Sequence, residues 1–341
     1  MQNGILKISV IIVSLLIVAF LFSTENILID FNTLKADGVK DKVLDPVSGA
    51  IVEKNTQNTE TMVDYSQTAG ASVPEEDKKL MKISLSPDNW DITLAPSSRS
   101  VKNRSLSFCR EWQTKETAKQ YPSTTILGAR IHFPELPFNS WAIIEPPFEI
   151  PAYEKKTDEN GNEVAGDPGT KFISKGVLRN VGIIKSITMT VYGRNFKHAL
   201  AIVLSDENDN VQEYFITYLD FDGWSIRTWT NPNYILDVRN RDLFKVPLYP
   251  RNQPFLKLKG FRIYRNGEND GGDFVVYIKD VKVIYDEAVI DVEEDIDDET
   301  AWGILTKRRE ERKTLELTRI GQMQQLRFLE KRKMHNEATS E

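Results

Sequence analysis

A chain of 341 residues that is 40% hydrophobic and 28% charged carries enough apolar material for a sizeable core, which excludes a disordered or low-complexity class. Its formal net charge of −6 argues against a broadly basic, nucleic-acid-binding surface. The single cysteine, Cys109, excludes an intramolecular disulfide and is expected as a buried free thiol, with pairing between chains as the alternative.

At the N-terminus, Lys7 precedes the apolar run Ile8–Phe22, which is too short to span a bilayer comfortably and typical of a signal-peptide core. The chain is expected to be exported as residues 24–341, after a signal peptide 1–23, without stable membrane insertion. No small-residue cleavage motif follows the run, so an uncleaved anchor stays open. Asn26–Phe31 reads as the first strand of the exported protein. Residues 35–84 then turn polar and irregular around Gly38, Gly49, Gly70 and Pro74. They are expected as a polar, mobile insertion between two strands of one sheet.

Beyond residue 84 short β-runs recur with turn signals between them. Ile126–Phe133 and Trp141–Ile144 flank a proline-containing link. The polar stretch Lys156–Asn162 carries Asn160-Gly161 at its tip, a common hairpin pair. Ile183–Tyr192, Ala199–Leu204, Val211–Leu219, Trp224–Trp229, Leu256–Tyr264 and Phe274–Tyr285 complete the set, with a bend expected at Asp280. Many short strands without crossover helices predict a mainly β fold, a jelly-roll-like β-sandwich over residues 24–289, and disfavour a parallel α/β architecture.

The last segment, 290–341, is expected as a charged, amphipathic helical tail. Nine of the fourteen residues Asp286–Glu299 are acidic, and residues 307–333 hold ten Lys or Arg. Acids at the start and bases toward the end match the helix dipole. On a helical wheel Trp302, Ile304, Leu305, Leu315, Ile320, Met323, Leu326 and Leu329 fall on one broad side, interrupted by Arg308, Arg312 and Arg319.

No motif for catalysis appears: there is no nucleophile elbow, phosphate-binding loop or zinc-protease signature. His132, His198 and His335 lack metal spacing to one another or to Cys109. Asp206, Asn208 and Asn210 open like a calcium loop, but Val211 and Thr217 stand where glycine and glutamate are required. Asp295, Asp297 and Glu299 fail the same way at Thr300. Both groups read as a turn and a helix start. Asn103-Arg-Ser105 matches a glycosylation sequon. Trp224, Trp229 and Tyr234 are candidate surface aromatics for stacking against sugars, set against the commoner role of such residues in sandwich cores and edges. Glu293, Glu294, Asp295, Asp297, Asp298, Trp302, Lys307, Arg308, Arg309 and Arg312 are candidate partner contacts on the charged tail. A face packed on the sandwich is the competing reading of that tail.

Several strings together resemble one family. They are Leu127-Gly-Ala-Arg-Ile-His-Phe-Pro134, Asn139-Ser-Trp-Ala142, Gly176-Val-Leu-Arg-Asn-Val-Gly182, Val191-Tyr-Gly-Arg-Asn195 and Phe221-Asp-Gly-Trp224. Further along come Val238-Arg-Asn-Arg-Asp242, Pro247-Leu-Tyr-Pro-Arg251, Gly271-Gly-Asp-Phe274, Tyr277-Ile-Lys-Asp-Val281 and Glu293-Glu-Asp-Ile-Asp-Asp-Glu299 with Trp302. In this order, over about residues 120–320, the chain resembles the outer-layer (sheath) proteins of spirochaete periplasmic flagella, the flagellar filament outer layer protein A family. The resemblance implies an exported, non-enzymatic periplasmic protein that coats a flagellin core filament and affects its stiffness, shape and motility. Its implied partners are flagellin subunits, further copies of itself along the filament and other sheath proteins, with no nucleic acid and no cofactor. Tyr277–Val281 also resembles, more weakly, the last strand of jelly-roll carbohydrate-binding modules, which speaks to fold alone. A periplasmic glycan- or peptidoglycan-binding module is the alternative function.

Overall fold

The computed structural model describes residues 23–35, 39–44, 51–56, 61–68, 73–78, 81–161, 163–240, 249, 254–268, 271–288 and 296–338. The expected signal peptide therefore lies outside the described residues, apart from Ser23. In chain order the strands are β1 (Ser23–Asp30), β2 (Val39–Leu44), β3 (Ile51–Thr56), β4 (Met62–Asp64), β5 (Lys82–Ser84), β6 (Asp91–Leu94), β7 (Phe108–Gln113), β8 (Thr125–Phe133) and β9 (Trp141–Glu145). They continue with β10 (Tyr153–Thr157), β11 (Glu163–Pro168), β12 (Val177–Arg179), β13 (Val181–Arg194), β14 (Ala199–Ser205), β15 (Val211–Tyr218), β16 (Asp222–Thr230), β17 (Phe255–Tyr264) and β18 (Gly272–Glu287). Five helices accompany them: α1 (Glu75–Lys78), α2 (Val101–Leu106), α3 (Tyr234–Asn240), α4 (Asp298–Trp302) and α5 (Ile304–Ala338).

Two antiparallel sheets form the sandwich, as the strand pattern predicts. One runs β16-β13-β18-β8-β7 with β1 added on β18, and the other runs β15-β14-β17-β9-β6 with β12 added on β17. Between them Trp90 stacks on Phe261 at 6.0 Å, and Phe31 meets Trp90 edge-on at 5.1 Å. Nearer the other end His198 sits 4.7 Å from Phe274 and 5.4 Å from Phe133, its Nδ1 accepting the Asn266 N–H. Burial, then the nearby Arg265 charge, pushes the His198 imidazole down to about 4. Cys109 is buried and reduced, and its thiol is pushed well up by the same desolvation.

The longest strand, β18, organises its sheet. β13 lies along one side of it, while β8 pairs with Gly272–Ile278 and β1 with Asp280–Asp286 on the other. The expected bend at Asp280 takes a definite form. Thr190 faces Asp280 but Val191 faces Ile278, so Lys279 is an extra residue. This bulge shifts the alternation by one, and the buried positions change from 274, 276 and 278 to 281, 283 and 285.

Part of the segment 35–84 differs from its expectation. Thr61–Leu85 is not a polar excursion, because Val63, Tyr65, Met81, Ile83 and Leu85 join the core, and β4 pairs with β5. A second hairpin pairs β2 with β3. The insertion also does not sit within one sheet, since β1 and β6 belong to opposite sheets. The turn at Asn160-Gly161 does connect β10 and β11, with Gly161 at φ +83. The Asn103 sequon falls in α2 with its side chain buried and donating to the Ser98 carbonyl at 2.9 Å, a geometry with no room for a glycan.

Because Phe261 is fully buried between Phe31 and Trp90, Phe261→Ala is expected to cost about 3–5 kcal/mol in urea unfolding. Exposed Tyr218→Ala is expected to stay within about 0.5 kcal/mol. Stability should also fall as pH drops from about 6.5 to about 4, because the unfolded chain takes up a proton that buried His198 refuses. His198→Phe should flatten that part of the pH profile in thermal melts.

Candidate functional site: the strapped helix and the aromatic sheet face

The C-terminal helical region is two helices joined at Gly303, which adopts φ +61 as a left-handed cap that glycine accepts without strain. Asp297 caps α4 by accepting the Thr300 N–H at 3.1 Å. The Glu299 carboxylate accepts from Leu305 N, Thr306 N and Thr306 Oγ1 at 2.7–3.0 Å, which caps α5 and holds its own pKa down at about 2. One of the acids that read as partner contacts, Asp297, thus serves the helix start, alongside Glu299. Asp298 lies in the first turn of α4. Glu293, Glu294 and Asp295 lie outside the described residues.

Helix α5 then lies against the sandwich. Ile320 is fully buried, and Leu317 packs on the core beside it. Gly321 allows the close approach to Ser66–Thr68, since a Cβ there would stand 2.3 Å from Thr68 Oγ1. Tyr153 donates its hydroxyl to the Arg309 carbonyl at 3.1 Å. Arg309 reaches Asp167 at 3.3 Å, Arg312 reaches Asp209 at 3.3 Å and Arg319 reaches Glu149 at 3.4 Å. Half-exposed ion pairs of this kind contribute at most about 1 kcal/mol each. Burying Ile320 contributes about 1.5–3 kcal/mol, so the apolar anchor does more than any one pair, and the pairs fix orientation.

Beneath the helix, Glu149 accepts from Lys257 at 2.6 Å and Lys259 at 2.7 Å. Those hydrogen bonds and charges outweigh its desolvation and bring its pKa down to about 2. Lys257 is buried and also bonds Asp209 at 2.6 Å. Glu316 faces the opposite situation: its Oε1 is buried without a hydrogen-bond partner. Desolvation and then the Glu149 charge push it up to about 8, against the opposing pull of Lys257, Arg319 and Lys259. A polar cleft of about 1030 Å³ remains between helix and sandwich, lined by both signs of charge.

The apolar residues expected on one broad side of the tail are in fact divided. Leu315, Leu326 and Leu329 lie within roughly 60° of one another around the helix, and Ile320 lies on the far side. These three leucines are 72%, 63% and 53% exposed, Leu315 at the rim of the cleft, and Trp302 is 70% exposed. The helix has two uses, with Ile320 and Leu317 toward the sandwich and Leu326 and Leu329 toward solvent. Of the basic candidates, Arg309 and Arg312 are engaged within the chain, Lys307 is exposed, and Arg308 lines the cleft.

The aromatic candidates are also separated. Trp224 and Trp229 lie five residues apart on β16, an odd spacing that places them on opposite faces. Trp229 pairs with buried Ile187 and packs inward against Tyr214 at 4.7 Å. Tyr234, on α3, donates to both oxygens of buried Asp286 at 3.0 and 2.9 Å. Trp224 alone of the three is on the outer face. There it belongs to a row running Trp224–Tyr192–Tyr277–Gly128–Arg110 across five strands. Among the described residues no group of three or more His, Cys, Asp or Glu side chains is placed to hold a metal ion. The Asp206 carboxylate accepts from Asn208 N, Asn210 N and Asn210 Nδ2, which makes it a turn.

The described residues define a β-sandwich protein with an ion-paired helical strap. The family model described as flagellar filament outer layer protein FlaA matches residues 54–294. A flagellar filament outer layer protein of Spirochaeta aurantia is 46% identical over 319 residues, covering 93% of this chain and 89% of that one. Its counterpart in Treponema pallidum (strain Nichols) is 39% identical over 322 residues, covering 92% and 89%. The chain belongs to the flagellar filament outer layer protein family. Among solved structures it is similar to TmCBM61 in complex with β-1,4-galactotriose, at 7% identity and a TM-score of 0.28 over 58% of this chain and 88% of that one. It is similar at 7% identity and a TM-score of 0.25 to the family 11 carbohydrate-binding module of a Clostridium thermocellum cellulase, over 58% and 88%. Likeness at that level says nothing of what this chain binds.

Ile320→Ala is expected to cost about 2–5 kcal/mol in urea unfolding and to expose the α5 arginines to trypsin. The raised Glu316 pKa means that the folded state holds a proton the unfolded chain releases, so stability falls as pH rises from about 4.5 to about 8. Glu316→Gln should melt with the wild type at pH 5 and above it at pH 9. Coincident melts at both pH values would contradict the buried, protonated carboxyl.

Proposed function

We propose that this protein is an exported coat subunit of the spirochaete periplasmic flagellum, packed around a flagellin core and against further copies of itself. The observation that carries this reading is the set of exposed apolar side chains Leu315, at the rim of the cleft, Leu326 and Leu329 on a helix anchored through Ile320, with exposed Trp302 on the short helix before it. Three exposed leucines and an exposed tryptophan on adjoining helices offer apolar anchors for a partner, interrupted by polar Thr318, Arg319 and Gln322. Family membership supplies the filament as its location, because the relatives are named for a flagellar filament outer layer.

The contact set consists of Trp302 and the Leu315 stripe, flanked by Glu293, Glu294, Asp295, Asp297, Asp298, Lys307 and Arg308. Arg309 and Arg312 act indirectly, by holding the helix to its own sandwich. Many modest contacts repeated along a filament add through multivalency. A continuous or partial coat of this kind resists bending, and so contributes to filament stiffness, shape and motility. Other sheath proteins are further neighbours. The role requires no catalysis, cofactor or nucleic acid. Residues 1–23 direct export to the periplasm.

Quantitative mass spectrometry of detergent-washed filaments is expected to find the chain in substantial copy number relative to flagellin. Leu315→Gln/Leu326→Gln/Leu329→Gln, all on the outward face, should lower that number at least about tenfold, the loss expected for a truncated interface hot spot, with the melting temperature unchanged. Wild-type protein confined to the soluble fraction would overturn the coat reading. Full retention of the triple variant would overturn the stripe.

A further inference from the structure

The outer face of the β16-β13-β18-β8-β7 sheet carries a feature outside the contact set proposed for the helix. In the register, Trp224 faces Tyr192, Tyr192 faces Tyr277, Tyr277 faces Gly128 and Gly128 faces Arg110. Directly paired residues share a face, so these side chains form one row across five strands, about 19 Å long at the spacing of neighbouring strands. Ring centroids are 5.3 Å apart between Trp224 and Tyr192 and 5.9 Å between Tyr192 and Tyr277. Tyr121, from the β7–β8 loop, adds a fourth ring 5.2 Å from Trp224.

Gly128 shapes the row. The Tyr277 ring leans over it, with Cε1 and Cδ1 within 3.1–3.2 Å of where a Cβ would stand. The ring therefore extends across β8 toward Arg110. The Lys279 bulge contributes on the same side, its ammonium lying 5.1 Å from the Tyr121 ring while paired with Asp280. Arg194 lies 4.9 Å over Tyr192. These cations are occupied by rings or a carboxylate, so the row presents little free charge.

What it does present is a row of half-buried rings packed edge to face, at 79–81° between neighbours, so that ring faces and ring edges alternate along it, combined with unused polar groups. Among the described residues no hydrogen-bond partner engages the hydroxyls of Tyr121, Tyr192 and Tyr277 or the indole N–H of Trp224, while Tyr234, Tyr153 and Trp90 all find partners within the fold. Apolar faces alternating with free donors match a pyranose ring, whose C–H face stacks on an aromatic and whose hydroxyls accept and donate at its rim. A purely apolar protein partner would leave those donors buried and unpaired, at a cost of about 1–3 kcal/mol each.

We propose that this row binds an extended polysaccharide strand, the glycan of the cell wall, through its sugar rings, on a face separate from the α5 leucines. The length favours a chain of several sugars over a short protein-linked glycan. A coat subunit with such a face holds the filament against the wall while its helix holds the filament itself.

The test is cosedimentation of the full exported chain with purified sacculi, competed by glycan strands stripped of their peptides. Saturable binding is expected, displaced by the stripped strands and not by free stem peptides. Trp224→Ala and Tyr277→Ala should each weaken it at least about tenfold. Tyr218→Ala, on the other sheet, should leave it unchanged, and melting temperatures confirm that all three variants fold. Trp224→Phe should restore most of the binding, since a ring remains. Absence of saturable binding, equal binding by the alanine variants, or displacement by peptides alone would overturn the proposal. So would loss of filament retention in the alanine variants, which would assign the row to a protein contact. The triple leucine variant should still bind sacculi, so failure of the wall site and failure of the coat reading give different results.

Discussion

The contact on which the functional account depends is the seam between α5 and the sandwich. At its centre Ile320 is fully buried, and around it Arg309, Arg312 and Arg319 meet Asp167, Asp209 and Glu149. The seam decides which face of the helix points outward. Were the helix free to roll, Leu315, Leu326 and Leu329 would turn inward and Ile320 would turn out. The ion pairs contribute little individually but oppose that rotation, and Gly321 against Thr68 fixes the depth of approach. Glu316 is the weak element of the seam: its Oε1 is buried without a partner, and desolvation together with the nearby Glu149 charge pushes its pKa up to about 8.

The same sandwich separates two surfaces by simple geometry. The β18 strand receives β8 on its first half and β1 on its second, and the Lys279 bulge between them re-aims the outward side chains. This leaves Tyr277 in line with Tyr192 and Trp224 across three strands. The helix approaches elsewhere, over Glu149, Tyr153, Asp167 and Lys257. A coat protein needs at least two independent faces if it is to touch more than one kind of neighbour, and this arrangement provides them.

Much of the sandwich was legible because its long strands alternate. Ile183–Tyr192, Ala199–Leu204, Val211–Leu219, Leu256–Tyr264 and Phe274–Tyr285 each fall inside or nearly coincide with an observed strand. The short strands β6, β7 and β12 carry too few residues for a period to stand out. In Thr61–Leu85 the alternation of Val63-Asp64-Tyr65 and Met81-Lys82-Ile83-Ser84-Leu85 is present but spans only three and five residues, too short to stand out from the polar sequence around it. The odd spacing of Trp224 and Trp229 already implies opposite faces. By contrast, the Trp224–Tyr192–Tyr277 row depends on pairing register, which no local pattern encodes. The cis pairs of the helix were hidden for the same reason: Asp167 and Arg309 lie 142 residues apart, and a charge run in sequence does not say which acids it meets.

The most direct test of the account is photo-crosslinking from position 326 within assembled filaments, compared with position 317 on the inward face. The account predicts covalent products between position 326 and a neighbouring coat subunit or flagellin, and only intrachain products from position 317. Intermolecular products from position 317, with none from position 326, would show that the helix docks the other way round and would contradict the outward stripe as the filament contact.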